Sequence, residues 1–126
     1  MAFGDVGGAV TELVITCKTP AAGDVSIAKG DAVKLTGAYT VDNTANDEDA
    51  VFGQALAAAT ENGAPLPVKV RGICIFGYVG AAPAVNGSAG VLASATAGKV
   101  KAPATGDGIG INVKVDQAAA EVHVLL

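Results

Sequence analysis

An all-β fold in one domain is what this sequence predicts, and three observations predict it. Gly, Pro and Asn-Gly punctuation recurs at intervals of about ten residues, the spacing of a sandwich or barrel. The segments between the punctuation alternate apolar with polar residues or are rich in Val and Ile. Helix signals are nearly absent. A length of 126 residues suits a single core, read as a compact β-barrel domain over 10–126 preceded by a flexible Gly-bearing arm over 1–9. The apolar material is thinly spread: 26 Ala and 17 Val stand against five aromatic residues, Phe3, Phe52, Phe76, Tyr39 and Tyr78, and no Trp. Burying an alanine contributes well under the ~1.5–3 kcal/mol of a Leu or Phe. A monomer built this way is expected to gain from association with copies or a partner.

Val10 to Cys17 reads as the first strand, stopped by Pro20, which cannot donate to a ladder. Val25–Ile27 is short and runs into a turn at Lys29-Gly30-Asp31. Ala32–Thr36 alternates, and Tyr39–Val41 continues after Gly37, so the pair reads as a small hairpin. Asp42–Asp49 is polar apart from Ala45, lacks periodicity and is expected to be a solvated acidic loop. Between Ala50 and Thr60 the alanines favour helix, whereas Val51, Phe52 and Gly53 favour strand; strand is the reading adopted. Asn62-Gly63 is a hairpin-turn pair. Val68–Arg71 alternates, burying one face and turning Lys69 and Arg71 the other way. Ile73–Val79 is apolar on both faces, which predicts either a central strand or one whose outer face meets another subunit. After a long turn over Gly80–Gly90, Val91–Ala95 and Gly98–Ala102 form a hairpin around Thr96-Ala97. Ile111–Val115 and Glu121–Leu126 are the last two strands.

Net charge is −4 at neutral pH, and the eight bases are not clustered as phosphate neutralisation requires, so no nucleic-acid partner is expected. Residues 1–61 hold nine acids and three bases, whereas 62–126 hold three acids and five bases. That polarity suits docking in one orientation. No apolar run reaches the length of a membrane span. The start lacks the basic and apolar regions of a secretory signal, so the protein is expected to act where it is made. Cys17 and Cys74 each sit inside an apolar alternation and read as buried free thiols rather than a disulfide or metal pair.

Motifs that carry chemistry fail on inspection. Ala97-Gly98-Lys99-Val100 lacks both the upstream Gly and the Ser or Thr of a phosphate loop. Gly106-Asp-Gly-Ile-Gly110 leads into a strand, so no helix N-terminus is offered to a pyrophosphate. Asp42, Thr44 and Asn46 have the alternation of calcium ligands, but Asp47 and Gly53 stand where the loop's Gly and final Glu belong. His123 is the only histidine, and no serine lies in a nucleophile elbow. No catalytic residue, metal site or cofactor is expected. Length, acidity and glycine-marked hairpins also suit a carrier module of lipoyl or biotinyl type. Lys99 and Lys101 lie on a hairpin, without the flanking residues of those families.

The order of several segments carries a resemblance. Lys29-Gly-Asp-Ala-Val-Lys-Leu-Thr36, Ala50-Val-Phe-Gly-Gln-Ala-Leu-Ala-Ala-Ala59, Val68-Lys-Val-Arg-Gly72, Ala97-Gly-Lys-Val100, Gly108-Ile-Gly-Ile111 and the terminal Glu121-Val-His-Val-Leu-Leu126 follow one another in a way that resembles the small decoration, or cement, proteins of tailed-bacteriophage capsids. The resemblance covers most of residues 10–126 and rests on order and spacing. It implies a compact, β-tulip-like barrel, usually trimeric, made in the host cytoplasm and seated on the outer surface of the virion, where it braces the major capsid protein against packed DNA without catalysis. On that reading the subunit contact draws on Ile73, Ile75, Phe76 and Tyr78, and the shell contact on Phe3, Lys69 and Arg71.

Overall fold

The computed structural model describes Phe3 and residues 12–44, 46–85 and 90–126. Ten strands and no helix appear among them: β1 (Leu13–Lys18), β2 (Ala32–Gly37), β3 (Thr40–Asp42), β4 (Gly53–Ala55), β5 (Pro65–Arg71), β6 (Ile73–Gly77), β7 (Leu92–Ala93), β8 (Val100–Lys101), β9 (Ile111–Asp116) and β10 (Glu121–Leu125). The fold is all-β. A closed five-stranded barrel runs β1-β3-β2-β4-β5, a three-stranded sheet runs β6-β10-β9, and β7 pairs with β8. Except for Phe3, the N-terminal arm and the Asn86-Gly87 turn lie outside the described residues.

Each part forms for a local reason. In β5, Leu66, Val68 and Val70 are buried while the residues between them are not, as the period of two requires. The hairpin β2–β3 turns through Tyr39 at a positive φ of 51°, and Tyr39 O accepts from the Lys18 N–H at 2.8 Å. That junction is where β3 meets β1, through the single register pair Lys18↔Thr40. Gly53 lets β4 approach β5 closely: a Cβ there would lie 2.5 Å from Lys69 O and 2.7 Å from a Val68 methyl. Of the segment 50–60, expected to be strand, only Gly53–Ala55 is; the chain bends at Leu56 and Ala57, and Ala59 is bridged to Ile27 further on.

Two apolar cores result. The barrel encloses Cys17, Ile27, Val33, Val41, Ala55, Leu66 and Val68. The second core lies under the inner face of the three-stranded sheet and is made by Cys74, Phe76, Val122 and Val124 with Val51, Val91, Ala93 and Val100. The two thiols are free and buried, one in each core. Burial raises both thiol pKa values, that of Cys74 to about 11.

The segment Asp42–Asp49 departs from the expected solvated loop. Asp49 Oδ2 pairs with Lys34 Nζ at 2.8 Å and accepts the Asn46 N–H at 2.9 Å. Asp47 pairs with Lys101 at 2.9 Å, and Glu48 Oε1 accepts the Ala104 N–H at 2.6 Å. The main chain also joins in: Glu48 N–H donates to Ala93 O and Ala93 N–H to Asp49 O, each at 2.9 Å. The acids form a strap from the barrel to the β7–β8 hairpin. At its root the buried Asn43 donates to Ser26 O at 2.7 Å and to Asp31 Oδ2 at 2.8 Å.

Candidate functional site

Strand alternation divides the three-stranded sheet into an inner and an outer face. Cross-strand register places Cys74, Val124 and Asn112 in one inward row and Phe76, Val122 and Val115 in the next. The outward rows are Ile73–Leu125–Ile111, then Ile75–His123–Lys114, then Gly77–Glu121–Asp116. The register of β9 shifts between His123 and Val124, leaving Val113 as an extra residue. Ile73, Ile75, Ile111, Val113 and Leu125 are each between 38 % and 45 % exposed. Together these large branched side chains form an exposed apolar patch on the sheet face, the kind of feature that marks association sites in proteins generally. The face grades from a wholly apolar row, through His123 and Lys114, to two carboxylates.

The residues expected at a subunit contact separate here. Ile73 and Ile75 stand on the open face. Phe76 is fully buried in this chain's own second core, and Tyr78 packs half-buried against the same core. Consecutive strand residues point to opposite sides, so a run apolar on both faces cannot present all of its members to one partner. Nor is the run a central strand: β6 is an edge of its sheet, and β10 lies in the middle. Leu125, Ile111 and Val113 complete the patch. Their alternation is visible in the sequence, but only the pairing of β10 with both β6 and β9 brings them beside Ile73.

The residues expected at a shell contact also differ among themselves. Phe3 is fully exposed. Lys69 is engaged within the chain, its Nζ donating to Ile73 O at 3.0 Å and lying 3.4 Å from Glu12 Oε1. The exposed Arg71 donates from Nη1 to Val70 O at 2.8 Å. Of the hairpin lysines, Lys101 is held by Asp47, whose hydrogen bond raises the lysine pKa. The Lys99 amine lies over Gly77.

Two concavities elsewhere have linings that mix charged and apolar side chains. One of about 540 Å³ is lined by Lys34, Leu35, Asn46, Asp49 and Phe52, and its Lys34 and Asp49 are already paired with each other. Another of about 340 Å³ is lined by Lys29, Asp31, Tyr78, Lys99 and Glu121. Among the described residues no three His, Cys, Asp or Glu side chains gather as metal ligands do. The chain matches no protein-family model, and no curated protein matches it significantly.

Proposed function

We propose that this protein is a non-enzymatic structural protein that associates as a homotrimer on the outer surface of a tailed-bacteriophage head, bracing the major capsid protein against the pressure of packed DNA. The observation that carries the reading is the open apolar face of β6, β10 and β9. A chain whose cores are built mainly from Val, with few larger side chains, leaves three Ile, a Leu and a Val together on its surface, and burying them between subunits adds stability that the valine-dominated interior does not supply. Closed symmetry uses one such surface repeatedly. Several modest contacts made by one trimer then give slow release from the shell through effective concentration. The order of segments that resembles the capsid decoration proteins supports a shell protein as the partner. A carrier module needs a free lysine presented by a hairpin; Asp47 engages Lys101, whereas the exposed Lys99 belongs to no ion pair among the described residues, so its modification state is what separates that alternative.

Sedimentation of the purified chain, alone and mixed with undecorated expanded phage shells, tests the proposal. A trimer that co-sediments with shells is the expected result. A monomer at all concentrations with no affinity for shells overturns it, as does natively produced protein carrying a modified lysine in mass spectrometry.

A further inference from the structure

We propose that β9 is a strand-addition edge, at which an extended segment of the shell protein joins the sheet with apolar side chains beside Ile111 and Val113 and a carboxylate opposite Lys114. The inference rests on the shell reading above and names how the shell is gripped.

The sheet has two edges, and among the described residues only one of them is closed. Along β6, Lys69 Nζ donates to Ile73 O at 3.0 Å and the buried Gln54 donates from Nε2 to Ile75 O at 2.7 Å. Just beyond, the Val79 N–H donates to Val100 O at 3.0 Å. The carbonyl groups that an incoming strand would need there are already taken. Among the described residues β9 is paired with β10 alone. An unpaired strand carrying exposed Ile and Val is a template for another chain, and main-chain pairing supplies affinity while neighbouring side chains supply selectivity.

The side chains state what the added strand must carry. The row Ile73–Leu125–Ile111 runs across the sheet and stops at β9, so an apolar residue continues it. The next row stops at the exposed Lys114, which belongs to no ion pair among the described residues, so an acid complements it. A second copy of β9 fits this poorly. Antiparallel pairing with bulge against bulge sets Lys114 opposite Val113 and Ile111 opposite Asp116. The register that brings Lys114 to Asp116 runs past the strand into the turn, where Asp116 Oδ1 already accepts the Ala118 and Ala119 N–H groups at 3.1 and 3.2 Å. A strand from a different polypeptide is free of both conflicts.

The test titrates the isotope-labelled full chain with nine-residue peptides alternating Val and Thr, with Glu, Gln or Lys at the centre. The amides of Ile111–Asp116 are expected to shift and gain exchange protection. The Glu peptide should bind about fivefold tighter than the Lys peptide, the size of a cross-strand charge pair, and Lys114→Glu should reverse that order in a chain that still folds. No perturbation of β9, perturbation centred on β1 or β6, or a charge order indifferent to Lys114→Glu overturns the edge. Shell binding separates the two readings. If wild type and Lys114→Glu co-sediment with shells equally, the shell reading stands and the β9 grip falls. A chain that adds peptides at β9 but ignores shells overturns the shell as occupant.

Discussion

Ile75 and Phe76 are neighbours in sequence with opposite roles, and substitution separates them. Phe76→Ala empties a fully buried site and is expected to cost about 3–5 kcal/mol in denaturant unfolding. Ile75→Glu changes an exposed position, so monomer stability should move by less than about 0.5 kcal/mol while self-association is lost in sedimentation. Equal destabilisation by both would show that Ile75 belongs to the core. Gly53→Ala places a methyl against backbone that cannot retreat, an overpacking of about 1–3 kcal/mol read by the same unfolding assay. The thiols give a pH signature. The folded Cys74 holds its proton up to about 11, above the ordinary thiol value of 9.0. Its contribution to stability is therefore complete below that ordinary value and is lost as pH rises through the interval. Unfolding midpoints should fall across that window. At pH 8 a thiol reagent should titrate neither cysteine until denaturant opens the cores. Burial of both was legible from their place in apolar alternations; that they occupy different cores was not, because the sequence holds no record of which strands share an interior.

Its lack of periodicity predicts that the acid-rich segment 42–49 faces solvent. Its partners, Lys34 and Lys101, lie on separate strands and become neighbours only when the hairpin packs on the barrel. The Lys34 ammonium, donating to Asp49, holds that carboxyl below its usual pKa. A depressed carboxylate contributes stability that is present above its ordinary value and is lost as pH falls through the folded one. Amide exchange around Asn46 and Asp49 should accordingly rise on acidification, and Lys34→Gln should produce the same loosening at neutral pH. Unchanged exchange in that variant would show that the strap is held by its backbone bonds alone. The β7–β8 hairpin and the closing β9–β10 pair were legible because turn chemistry and alternation are local properties.

The whole molecule combines a closed barrel with a sheet that is covered on one side only. Closure removes edges from the barrel strands, whereas the appended sheet keeps an open apolar face, so association should proceed through that sheet. Raising concentration should shift the chain from monomer to oligomer, and Leu125→Asp or Ile111→Asp should hold it monomeric without unfolding it. Retention of the oligomer in both variants would place the contact elsewhere on the surface.

The chain's own order of residues determined the all-β class, most strand positions, the buried thiols and the outward set of basic residues on β5, because each depends on neighbours within a few positions. Tertiary structure decided that Phe76 is interior, that Lys69 caps a neighbouring strand, that the acids form a strap and that Leu125 and Ile111 stand beside Ile73. Those outcomes depend on which strands pair, some of them more than forty residues apart in sequence as β6 and β10 are, and alternation along a strand fixes two faces without saying what will cover either one.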